Sequence, residues 1–134
     1  MKANELRIGN WVQTTEGYKR VAELDKYGIA YHMTFDAVKL ALCKYLKPIP
    51  LTEEILLKCG FEKIEEEFDG HTDLHYILKV DSFCTLVLCD DFSFSFQDEK
   101  LKEQICVKND TLNSVHRLQN LYFVLTGEEL EIEL

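Results

Sequence analysis

The sequence predicts an α+β fold: a small SH3-like β unit over residues 1–50, then, over residues 51–134, a helix, an antiparallel β-meander and a C-terminal helix packed on the sheet. Three observations carry this. Short β-leaning runs alternate with turn residues through the first fifty positions. A period of two runs through Phe92-Ser-Phe-Ser-Phe96, and a similar alternation places Leu74, Tyr76, Leu78 and Val80 on one face. Val115, Leu118, Leu121, Tyr122 and Leu125 recur at helical spacing and stop before Gly127.

Residues 7–13 form the first candidate strand, with Gly9-Asn10 a bulge or bend inside it. Thr14-Thr-Glu-Gly17 is a turn, residues 18–24 alternate as a second strand, and Asp25-Lys-Tyr-Gly28 turns the chain again. Residues 29–33 read as a third strand, and residues 38–46 lean to strand with a short helix as the alternative. Short strands at such close spacing suggest a curled sheet of the SH3-like type.

Pro48-Ile-Pro50 is the natural joint, because each proline favours extended backbone around it. A short helix follows. Thr52 is placed to cap it, Glu53 and Glu54 put negative charge at its positive end, and Leu51 and Leu56 match a hydrophobic staple. Gly60 suits the left-handed residue that closes it, with Phe61 able to fold back onto Leu56.

The meander comes next. Residues 62–68, rich in glutamate, read as an edge strand that resists sheet-to-sheet pairing. Residues 74–80 are half-buried, residues 83–89 are apolar on both faces and hence central, and residues 101–107 form a less apolar edge. The final helix is expected to start among Asp110, Thr111 and Asn113, to lay its stripe on the Phe92, Phe94, Phe96 face, and to depend most on Leu121. Phe123 lies off that stripe, near His116 and Gln119, and Val124 lies opposite it, which suggests a second contact, either with the N-terminal unit or with a partner protein. Residues 128–134 alternate charged and apolar groups and read as a last strand or a tail.

Composition narrows the functional classes. The chain has 134 residues, 46% of them hydrophobic, as in an ordinary globular domain. No apolar run approaches a membrane span, and no apolar stretch follows Met1-Lys-Ala-Asn-Glu as in a secretory signal, so a cytoplasmic location is expected. Five irregularly spaced cysteines read as free thiols. Charge is uneven. Residues 1–50 carry eight Lys/Arg against five Asp/Glu, whereas residues 51–134 carry seven against nineteen. The larger part repels phosphate backbones, so nucleic acid is disfavoured as a partner.

Catalytic and metal signals are weak. His71 and His75 have helical i, i+4 spacing but fall in a turn and strand, where that spacing separates them by about 13 Å. No cysteine has an adjacent base, and all six glycines are isolated, so no phosphate loop is present. No enzyme activity, cofactor or metal is expected. A weaker reading has Trp11, Lys19, Arg20 and Lys44 bind nucleic acid, the aromatic stacking and the cations tracking the backbone.

Three blocks bear a family likeness: Asn4-Glu-Leu-Arg-Ile-Gly-Asn-Trp-Val12, Leu46-Lys-Pro-Ile-Pro-Leu-Thr-Glu-Glu54 with Lys58-Cys-Gly-Phe61, and Val115-His-Arg-Leu-Gln-Asn-Leu-Tyr-Phe-Val-Leu-Thr-Gly-Glu-Glu-Leu130. In these the chain resembles a family of short uncharacterised proteins of phages and prophages of Bacteroides-type gut bacteria. The resemblance implies a mobile-element context and a bacterial cytoplasm, and it brings no catalytic residues. The function expected is therefore a non-enzymatic protein-binding module, with His116, Gln119 and Phe123 as its contact residues. The alternative is an acidic mimic of nucleic acid that inhibits a host DNA-binding protein.

Overall fold

The computed structural model describes residues 1–24, 29–30, 33–34, 37–38, 41–42, 45–98 and 100–134. The fold is α+β. Its centre is a five-stranded antiparallel sheet of β7 (Glu62–Phe68), β8 (His71–Lys79), β9 (Cys84–Cys89), β10 (Ser93–Asp98) and β11 (Gln104–Thr111), in the order β11-β10-β9-β8-β7. Strands adjacent in sequence are adjacent in space, as expected of a meander built from tight turns.

The turns are chemically specified. Asp69 and Gly70 both have positive φ, 51° and 79°, between the paired residues Phe68 and His71. That is the two-residue hairpin in which Asp-Gly is favoured. At the β8–β9 turn the Asp81 carboxylate accepts from the Phe83 and Cys84 N–H groups, at 2.6 and 2.8 Å. β9 is the central strand, and Leu86 and Leu88 are wholly buried. The glutamate-rich β7 lies at one edge and β11 at the other, as their compositions predict.

Helix α1 (Glu53–Lys58) follows its local rules closely. Thr52 Oγ1 accepts from Ile55 N–H at 3.3 Å. At the other end Gly60 (φ 88°) donates to Leu57 O and Phe61 to Leu56 O, at 3.0 and 3.1 Å. Those two bonds complete a Schellman motif. The helix is tied to the sheet by Glu53, which accepts from Tyr76 Oη at 2.8 Å and pairs with Lys63 at 3.2 Å. The Tyr76 hydrogen bond, with Lys63 adding to it, holds the Glu53 carboxyl below its usual range.

Helix α2 (Val115–Thr126) begins at Ser114, one residue beyond the expected cap candidates, and ends at Gly127 (φ 74°). Val115 and Leu118 are fully buried in the same apolar cluster as Leu86, Leu88 and Phe94, and Leu121 and Tyr122 pack at its margin. The stripe thus shares its core with the aromatic face of β10. Leu118, rather than Leu121, is its deepest residue, because Leu121 lies on the side that opens to a groove.

The N-terminal segment departs from expectation at its first strand. β1 (Trp11–Thr14) starts at Trp11, not at residue 7, and pairs with β2 (Gly17–Arg20). Gly9, at φ 93°, turns the chain, and Asn10 Oδ1 holds that turn by accepting from Arg7 N–H at 2.7 Å. Val21 N–H then donates to Asn10 O at 2.8 Å, so the hairpin closes on the turn itself. Leu6, Val12, Val21 and Leu46 make a second small core. Further along, β3 (Ile29–Ala30), β4 (Met33–Thr34), β5 (Ala37–Val38) and β6 (Ala41–Leu42) pair as Ile29 with Leu42 and Met33 with Val38, on one antiparallel register. The described N-terminal strands form separate two-stranded pairs, and the SH3-like curl expected of residues 1–50 depends on residues outside the described ones, among them the expected turn at 25–28, Cys43 and Lys44.

Pro48-Ile-Pro50 is extended, as two prolines dictate, but it is not a loose joint. Val115 N–H donates to Ile49 O at 2.9 Å and Leu51 N–H to Asn113 O at 3.1 Å, so the entry to α2 clamps it. Residues 128–134 form neither strand nor frayed tail. They run as an irregular strap that buries Leu130 and Ile132 in the main core.

Candidate functional site

The second face of α2 meets the N-terminal turn. Gln119 is wholly buried. Its Oε1 accepts from Trp11 N–H at 2.9 Å, and its Nε2 donates to Gly9 O at 3.3 Å. Beside it, Asn10 Nδ2 donates to Asn120 Oδ1 and Asn120 Nδ2 donates to Glu5 O, both at 2.9 Å. Trp11 Nε1 donates to Ile132 O at 3.0 Å and so pins the C-terminal strap. Phe123 lies beneath the Arg7 guanidinium, 3.6 Å from its ring centroid, while Arg7 Nη2 binds Glu129 at 2.6 Å.

Of the three expected contact residues, Gln119 and Phe123 are thus engaged within the chain, against the N-terminal segment. The polar side chains explain why that packing is specific. A buried turn leaves backbone N–H and C=O groups that need partners, and Gln119 supplies both a donor and an acceptor at once.

His116 is different. It is 4% exposed and lines a groove of about 570 Å3 at the N-terminus of α2. Phe94, Leu112, Leu121 and Pro48 give this groove an apolar wall, and Ser114, His116, Arg117, Asn120 and Glu5 give it polar groups. Sequence reasoning misses the groove because its walls come from β10, the segment after β11, the proline segment and α2.

Two of the lining residues each hold a buried polar atom without a hydrogen-bond partner: Ser114 Oγ and His116 Nδ1. Such atoms are uncommon in folded proteins and cost stability where they occur. Ser114 has the extended backbone of an N-cap residue, φ −147° and ψ 150°, yet its side chain makes no capping bond. The first turn of α2 holds no acidic residue, so the positive end of the helix is unquenched by its own sequence. Burial pushes the His116 pKa down, Glu5 opposes this, and Arg117 adds to it. The fold therefore favours the neutral ring.

Backbone strain lies next to the groove. Phe92 has φ 61°, a region that a bulky side chain rarely enters, and its carbonyl accepts from Leu112 N–H at 2.8 Å. Nearby the β10–β11 register slips. Ser95 opposes Cys106 while Ser93 opposes Thr111. Leu112, held by its bond to Phe92 O, and Phe94 both line the groove.

Comparison with protein-family models, curated proteins and solved structures finds no match. The site is therefore read on its own chemistry.

Of the nucleic-acid candidates, Trp11 and Arg20 are brought together as direct partners across β1 and β2, with Lys19 beside Arg20. Trp11 is half-buried and tied to Ile132, with Arg20 5.9 Å from its ring centroid. Arg20 is exposed, Lys19 is half-buried in the same hairpin, and Lys44 lies outside the described residues. His71 and His75 both lie on β8, opposite Phe68 and Ile64. Among the described residues no group of three or more His, Cys, Asp or Glu is placed to hold a metal, and no helix is long and apolar enough to cross a membrane. Cys59 is buried, and desolvation raises its thiol pKa to about 11. Such a thiol is a packing group rather than a nucleophile.

Proposed function

We propose that the protein is a non-enzymatic binding module, of phage or prophage origin, that engages a partner protein through the groove at the N-terminus of α2. The observation that carries this reading is the pair of unpartnered buried atoms, Ser114 Oγ and His116 Nδ1, in residues that line a groove with an apolar wall. A groove with an apolar wall and a few convergent polar groups is the usual form of a recognition site. His116 carries over from the expected contact set, while Gln119 and Phe123 support the site from behind by anchoring the N-terminal turn.

The mobile-element origin is supported by the likeness of the three sequence blocks. All three adjoin one another here: Trp11 bonds Gln119, and Ile49 bonds Val115. The mimicry reading asks for a continuous acidic face, and Lys63 interrupts it by pairing with both Glu53 and Glu65. The test is affinity capture from bacterial host lysate with the full chain and with Asn113→Trp, which fills the groove mouth from an exposed position. A partner retained by the native chain and lost by the variant supports the groove. A partner that both capture equally well removes the groove from its role.

A further inference from the structure

Resting on that reading, the geometry points to one occupant of the groove: the C-terminal residue of a partner peptide, its free carboxylate against the first turn of α2 and its apolar side chain against Phe94, Leu112 and Leu121. The carboxylate follows from charge. The start of α2 presents the positive end of a twelve-residue helix with no acidic side chain in its first turn and with Arg117 there instead. Ser114 Oγ is a donor without an acceptor, on a residue 3% exposed, at the same helix end. Glu5, which also lines the groove, disfavours a dianion such as a phosphate monoester more than a single negative charge. The apolar part follows from Phe94, Leu112 and Leu121, which continue the main core up to the groove surface. Capture of a terminal carboxylate by backbone N–H groups is an established mode of peptide recognition.

The experiment titrates three probes into the full 15N-labelled chain: N-acetyl-Gly-Ala-Leu with a free carboxylate, the same peptide amidated at its C-terminus, and 4-phenylbutyrate. The free-acid peptide is expected to shift the amide resonances of residues 114–117 saturably, with the amidated peptide about tenfold weaker or more. Ser114→Ala is expected to weaken the free-acid peptide without lowering the melting temperature, because the hydroxyl it removes makes no bond in the fold. Arg117→Gln, which alters the charge and not the cap, is the second variant. Unchanged affinity in both variants overturns the proposal. Equal affinity for acid and amide overturns the carboxylate but leaves the groove as a binding site. Binding of 4-phenylbutyrate without the peptide overturns the peptide and assigns a small organic acid. Silence of these resonances toward all three probes overturns this proposal, while the functional reading beneath it stands or falls by the capture experiment with Asn113→Trp.

Discussion

The Arg7 guanidinium stacks on the Phe123 ring at 3.6 Å and binds Glu129 at 2.6 Å, so one side chain ties the N-terminal turn to α2 and to the strap beyond it. A cation over an aromatic face is worth roughly 0.5–1 kcal/mol at a partly exposed site. A double-mutant cycle of Arg7→Ala and Phe123→Ala, followed by urea unfolding, is expected to show a coupling of about that size. Strict additivity of the two single changes would count against the contact. Arg7→Lys keeps the charge but not the planar stack, and should recover only part of the loss.

Gln119→Leu preserves volume and removes both hydrogen bonds. It leaves the Trp11 N–H buried without an acceptor and should cost roughly 2–3 kcal/mol. Trp11 is the single tryptophan of the chain, so its emission reports the change directly. A native emission spectrum with a stability loss below about 0.5 kcal/mol would show that the turn does not need Gln119.

Leu118→Ala should destabilise by about 2–5 kcal/mol, and Leu121→Ala by clearly less. Leu118 is fully buried, whereas Leu121 faces the groove. Chemical unfolding of the two variants side by side decides this. The reverse order would place the groove elsewhere.

Stability should fall as pH drops below the ordinary histidine range. Burial favours neutral His116 in the fold, so the unfolded chain binds the proton more readily. The contribution is fully present above about pH 6.5 and is lost progressively as pH falls through the lower folded value. Melting curves from pH 7.5 to 5, compared with those of His116→Gln, should show a shallower acid decline in the variant. Parallel curves would show that His116 is not the group responsible.

Cys59 should resist iodoacetamide in the folded chain while Cys106 reacts. The first thiol is buried with its pKa raised to about 11, and the second is exposed on the edge strand. Mass spectrometry after timed alkylation reads both. Equal labelling in native buffer would mean that α1 opens readily.

Much of the fold is legible in the sequence wherever the relevant forces act over a few residues. Thr52, Gly60 and Phe61 announce both ends of α1 because capping bonds span three to five positions. Asp69-Gly70 makes the hairpin tight, because both residues accept positive φ, so β8 starts at His71 and not at the Leu74 that its alternation suggests. The alternation over residues 74–80 and 92–96, on either side of a run apolar on both faces, announces the meander because half-buried strands flank a central one. The first strand is placed too early because Gly9-Asn10 can serve as a bulge or a turn, and the choice rests on Asn10 bonding Arg7 and Asn120.

The site is much less legible. His116 stands out on the helical wheel, but nothing in the sequence shows that Gln119 and Phe123 face Gly9, Trp11 and Arg7 across more than a hundred positions. Nor does it show that Ser114, a good capping residue, leaves its hydroxyl unpaired beside a groove lined by Phe94 and Leu112. The amino-acid sequence by itself determines the elements, their order, their buried faces and the acidic balance, because backbone propensity, capping and periodicity are short-range. Only the tertiary structure decides which surface of α2 is core and which is open. That depends on which distant polar group satisfies each buried N–H and C=O, and those partners meet only when the whole chain has folded.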